Sequence, residues 1–104
     1  MSKSVTNGFK LKKKMKNTWV KALRSGEYNQ TQEALKDETG FCCLGVLKDC
    51  VPGIKQTPNN ELLTEKSCGI PEEIQQKLAS MNDGNLDIKP KSFNYIASWI
   101  EKHL

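Results

Sequence analysis

Apolar positions recur at helical spacing in several stretches of this chain. Leu11, Met15, Trp19, Val20, Ala22 and Leu23 follow at intervals that put them on one stripe, with Lys12, Lys13, Lys16 and Lys21 largely outside it. Ser25-Gly26 ends this first helix, because glycine accepts the left-handed conformation found just past a helix end. Lys21 and Arg24 set cations at the negative end of its dipole. A second helix is predicted within the apolar block 41–51, where Cys43, Leu47 and Cys50, flanked by Leu44 and Val46, fit helical spacing better than strand alternation. Gly45 weakens that helix, yet its missing Cβ would let another backbone come close. Ile70-Pro71-Glu72-Glu73 starts a third helix, with Ile74, Leu78 and Met81 inward and Asn82-Asp83-Gly84 as stop and turn. Ser92 caps a last helix running towards His103, whose buried stripe is Phe93, Ile96, Ala97, Trp99 and Ile100.

The intervening stretches are short and polar. Between residues 27 and 40, Tyr28 and Leu35 are the anchors and residues 37–40 a turn, giving short strands at 33–36 and 40–42. Residues 52–69, with two prolines and Asn59-Asn60, are expected to be loop with one short strand near Leu62-Leu63-Thr64. The expected architecture is mainly helical α+β: three or four short helices with a small central β-hairpin. Residues 1–8 are expected to form a flexible leader, and residues 9–104 a single globular domain.

Length sets the outer bounds. A chain of 104 residues buries roughly two thirds of its unfolded surface, enough for one core but not two. No apolar run approaches the ~20 residues that cross a bilayer, and the first seven residues lack the apolar stretch of an export signal. A location inside the cell and no membrane partner are expected.

Charge divides the chain unevenly. Residues 1–24 carry seven lysines and Arg24 with no acid, whereas the remaining 80 residues hold eight basic and twelve acidic side chains. A basic leader on a mildly acidic body suits a polyanion or an acidic partner, and equally a solubilising arm.

Catalytic and metal chemistry find little support. Cys42, Cys43, Cys50 and Cys68 show no Cys-x-x-Cys pair with histidine partners, and His103 is the sole histidine. Buried reduced thiols are therefore expected, with no metal and no cofactor. A terminal histidine is a poor general base, Glu72-Glu73 and Asp37-Glu38 are explained by helix ends and turns, and no glycine-rich phosphate cradle occurs. No catalytic residue is assigned. Nucleic-acid binding would rest on Lys10, Lys12, Lys13, Lys14 and Lys16, with Trp19 and Tyr28 as stacking groups unless, as the stripe suggests for Trp19, they belong to the core.

Several segments carry a resemblance: Trp19, Ala22-Leu23-Arg24-Ser25-Gly26-x-Tyr28-x-Gln30, Cys42-Cys43-Leu44-Gly45-Val46-Leu47, Leu78-Ala79-x-Met81-Asn82-Asp83 and Ser92-Phe93-x-x-Ile96-Ala97-x-x-Ile100. Together they resemble a family of small proteins found mainly in bacteriophage genomes. The resemblance implies a setting, a phage accessory protein in the host bacterial cytoplasm, and not a reaction. The Lys-rich leader and the segment 85–91 before Ser92 depart from the family pattern.

Among the shared residues, Arg24, Ser25, Tyr28, Gln30, Asn82 and Asp83 are polar and gather at helix ends. Two roles are open to them: lining a small anion or nucleotide pocket with Arg24 as clamp, or capping helices and bridging loops. The expected function is binding without catalysis, directed at a host bacterial protein or a small anionic ligand such as a nucleotide. It calls for an exposed apolar patch, a homo-oligomer interface or a pocket. The alternative is a nucleic-acid-binding factor whose basic helix presents Lys12, Lys13, Lys14 and Lys16 on one face. A hydrolase or transferase would require Arg24, Tyr28 and Asp83 to share one pocket.

Overall fold

The computed structural model describes residues 9–84 and 89–104; the expected leader at 1–8 and residues 85–88 of the 85–91 segment lie outside them. In chain order the elements are α1 (Lys13–Arg24), β1 (Lys36–Asp37), β2 (Gly40–Phe41), α2 (Cys43–Cys50), α3 (Glu65–Cys68), α4 (Glu72–Asp83) and α5 (Phe93–His103). This is the mainly helical α+β architecture the periodicity predicts, with a two-stranded antiparallel hairpin in the middle. α1 packs against α5 and α2, and α4 closes the layer by touching both α2 and α5. No helix among the described residues is long and apolar enough to cross a membrane.

The predicted stripes meet at the centre. Trp19 of α1, Leu44 and Leu47 of α2, Leu78 of α4, and Ile96 and Ile100 of α5 are all fully buried. Burial of each such side chain contributes about 1.5–3 kcal/mol. Leu11 is also buried but precedes the helix, in an extended arm whose N–H donates to the Leu104 carbonyl at 3.1 Å. α1 ends where predicted: the Ser25 hydroxyl and N–H both return to the Ala22 carbonyl, and Gly26 follows at φ +79°. Ser92 caps α5, its hydroxyl accepting from the Tyr95 N–H. The Gly45 expectation also holds. A Cβ there would stand 1.8 Å from the Leu35 carbonyl oxygen, so the segment entering β1 lies directly on α2.

Three expectations are corrected. The strand placed at 33–36 is confined to Lys36–Asp37. Glu33 takes a positive φ of 68°, with its N–H held by the Asp83 carboxylate at 2.9 Å, and this bends the chain out of an extended run. Residues 52–69 are not only loop with a bridge at Leu63: they contain the single turn α3, fastened by the Ser67 hydroxyl to the Thr64 and Lys55 carbonyls. Asn82 and Asp83, expected in a turn, complete the last turn of α4, and the break falls at Gly84, φ +78°.

Candidate functional site

The six polar residues singled out as a candidate site separate into three neighbourhoods. The first is built on Asn82, which is fully buried. Its Oδ1 accepts from the Cys43 N–H at 3.1 Å and from Gln30 Nε2 at 2.9 Å. Its Nδ2 donates to the Thr31 carbonyl at 2.7 Å and to Asp83 Oδ1 at 3.0 Å. Gln30 reaches on to the Lys91 carbonyl at 2.7 Å, and Asp83 holds the Glu33 N–H. One side-chain amide thus ties the start of α2, the segment before the hairpin and the end of α4 together. Trp19 completes the arrangement from the other side, its indole N–H donating to the Cys43 carbonyl at 2.9 Å.

Arg24 and Ser25 form the second neighbourhood. The Arg24 guanidinium bonds Glu101 at 2.8 Å and the Ser98 hydroxyl at 2.9 Å, clamping the end of α1 to α5. Both partners of the ion pair are over a third exposed, so the pair adds at most about 1 kcal/mol. Tyr28 is the third. Its hydroxyl donates to Asp49 at 2.6 Å, and that bond, with some burial, pushes its pKa up to about 12. The half-buried ring meets Phe41 edge-on, with centroids 5.0 Å apart.

Arg24, Tyr28 and Asp83 do not share a pocket. Arg24 lines a shallow groove with Asn17, Lys21 and Glu101, whereas Asp83 lines a separate cavity of about 500 Å³ that neither Arg24 nor Tyr28 borders. Three carboxylates, Glu33, Glu61 and Asp83, face that cavity beside Cys42, Gln76 and Ser80, and its lining contains no lysine or arginine. Arg24 is engaged by Glu101 and Ser98 and bridges α1 to α5.

A second buried amide escaped the sequence reading. Gln75 accepts from the Leu63 N–H at 2.7 Å and donates to the Leu63 and Ile70 carbonyls, so it pairs with the loop much as a neighbouring strand would. The signal was present: Gln75 lies on the same stripe as Ile74, Leu78 and Asn82.

The lysines fall unevenly on α1. Lys10, Lys12, Lys13, Lys14 and Lys21 are exposed. Lys16 is half-buried, and its ammonium donates to the Glu101 carbonyl at 3.2 Å, which removes it from the expected shared face. At 3.6 residues per turn, Lys13, Lys14, Asn17 and Lys21 span an arc of about 100° on the face opposite Trp19. Lys21 thus takes the place that Lys16 was expected to hold.

All four cysteines are free thiols; Cys42, Cys43 and Cys68 are buried, and Cys50 is half-buried. Burial raises the pKa of each, most strongly at Cys43. Raised pKa values leave few thiolates at neutral pH.

The chain is a helical α+β domain in which Arg24, Gln30, Asn82 and Asp83 brace the fold, with a basic surface on its first helix. Over residues 11–57, which span α1, the hairpin and α2, the chain is similar to a family described as a domain of unknown function (DUF8296). No curated protein and no solved structure matches it.

Proposed function

We propose that this is a small non-enzymatic accessory protein that works by binding nucleic acid on the basic face of α1 and the arm leading into it. The observation that carries this is the exposed set Lys10, Lys13, Lys14 and Lys21 on a segment without any acidic side chain. From Lys13 to Lys21 the helix rises about 12 Å, comparable to three or four phosphates at 3.4 Å per strand. The setting is that of the resemblance, a phage protein in the bacterial cytoplasm.

Two features favour this over the other binding modes. The cavity of about 500 Å³ is lined by carboxylates and does not suit a small anionic ligand. Docking of a host protein through an apolar patch has little to rest on, since Tyr95 is the one exposed large hydrophobic among the described residues.

The test is fluorescence anisotropy with a labelled oligonucleotide across a salt series. Four phosphate contacts give a log–log salt slope of about −3 to −4, equivalent to a loss of about a hundredfold between 50 and 200 mM salt. Changing Lys13, Lys14 and Lys21 together to alanine flattens that slope by about two to three. Absence of binding at any salt, or a slope the triple variant leaves unchanged, overturns the proposal.

A further inference from the structure

A cleft of about 260 Å³ lies between the arm, residues 9–12, Met15 of α1 and the turn α3. Its chemistry is opposite to that of the acid-lined cavity. Lys10 and Lys12 border it from the arm and Lys66 from α3, and no acidic side chain lines it. All three lysines are exposed. The nearest acid in sequence, Glu65, is engaged elsewhere, its carboxylate accepting the Glu72 N–H at 2.7 Å. Apolar surface completes the lining: half-buried Phe9, with Leu11 and Cys68 beneath.

Three ammonium groups around one cleft repel each other, and an anion between them relieves that cost. A bare phosphate has no use for the aromatic ring or the apolar floor. A nucleobase attached to that phosphate uses both, because every base offers a face for aromatic stacking. The volume falls below the roughly 300 Å³ at which sites for drug-sized ligands begin, so the unit that fits is one base with its phosphate. Bases are available for such a site only when unpaired. The arm leads into α1, whose Met15 closes the cleft on its remaining side.

Resting on the nucleic-acid reading above, we infer that the cleft bordered by Phe9, Lys10, Lys12 and Lys66 is a base-and-phosphate subsite that gives this protein a preference for single strands over duplex. Lys66 is the informative residue, because it lies outside the basic N-terminal segment on which that reading depends.

The experiment compares binding of a labelled single strand of about 12 thymidines and of a duplex of equal length. It uses the full chain and the variants Lys66→Ala and Phe9→Leu. Lys66→Ala is expected to flatten the single-strand salt slope by about 0.7, the share of one phosphate. Phe9→Leu, which keeps apolar volume but loses the ring, is expected to weaken single-strand binding about tenfold. Both leave duplex affinity within about twofold. Lys66→Ala changes an exposed side chain, and an unaltered urea midpoint verifies that each variant folds. Equal losses on both probes, or no loss on the single strand, overturn the subsite while leaving the α1 face intact. A wild-type protein that binds neither probe overturns both.

Discussion

Replacing Asn82 by alanine separates a bracing role from a ligand-binding one. The amide makes four hydrogen bonds in the interior. Two of its partners have recourse elsewhere: Gln30 keeps the Lys91 carbonyl, and Asp83 keeps the Glu33 N–H. The Cys43 N–H and the Thr31 carbonyl belong to buried residues and lose the side-chain partner that satisfies them. Each orphaned buried group costs about 1–3 kcal/mol, so the pair costs about 4 kcal/mol against a total stability of about 5–15 kcal/mol for a domain of this kind. With a urea m-value of about 2 kcal/mol/M, the midpoint falls by roughly 2 M. The assay is urea unfolding followed by tryptophan emission, since the Trp19 indole is bonded to the carbonyl of the same residue, Cys43. Asn82→Asp sharpens the test. It keeps an acceptor for Cys43 but, when ionised, has no donor for Thr31 and sets a second charge beside Asp83. Burial and that neighbour raise the introduced carboxyl's pKa in the fold, so this variant regains stability as pH falls and the acid can donate again. A midpoint shift below about 0.5 M for Asn82→Ala, or an aspartate variant indifferent to pH, would refute the bracing role.

Three further outcomes are expected. Gly45→Ala gains roughly 1 kcal/mol of helix propensity but drives a methyl into the Leu35 carbonyl; a net loss of about 2 kcal/mol and a Tm lower by roughly 10 °C follow, and an unchanged Tm would contradict the close approach. The phenol of Tyr28, followed by ultraviolet absorbance, ionises near pH 12, and Asp49→Asn lowers that midpoint. Because the folded pKa is raised, its contribution is full below about pH 10 and is lost as pH climbs towards 12. Asp37, bonded by Thr39, Thr31 and Gly40, titrates at about 2. Its contribution is therefore present above about pH 4 and lost as pH falls through 2, and Thr39→Val moves its carboxyl NMR midpoint up towards the ordinary value.

What could be read in the sequence was what depends on neighbours along the chain. The stripe of Trp19 and Leu23, the Ser92 cap and the glutamates after Pro71 follow from positions three or four apart, and all lie where predicted. Gly45 was legible for a related reason, since a glycine inside an apolar helix needs a packing cause. Features that depend on distant partners were not. Glu33 bends because a carboxylate fifty residues later takes its N–H. Lys16 is held by a backbone carbonyl of α5, eighty-five residues later. α3 is one turn long, too short to show a period. Asn82 and Asp83 carry the residue types of a surface turn, and only the tertiary positions of Cys43 and Thr31 draw Asn82 inward.

The stretch that matches the family, residues 11–57, is not a physical unit by itself. The Cys43 N–H and the Thr31 carbonyl are completed by Asn82, the Cys43 thiol points to the Leu78 carbonyl, and the Leu11 and Leu35 N–H groups end on Leu104 and Asn60. All of these partners lie beyond residue 57. The apolar stripe of α1 likewise lies chiefly on α5. A piece of this size sits near the roughly 40 residues below which chains seldom fold without staples, and here its buried donors and acceptors would be unpaired as well. The second half of the chain therefore acts as the template on which the first half takes its shape. This bears directly on the basic surface. The charges belong to the first half, but their spacing is set by the second, because Arg24 and Lys16 fasten α1 to α5 while Lys13, Lys14 and Lys21 remain exposed. A loose lysine-rich segment would attract any polyanion; holding the helix at both ends turns that attraction into a fixed row of charges.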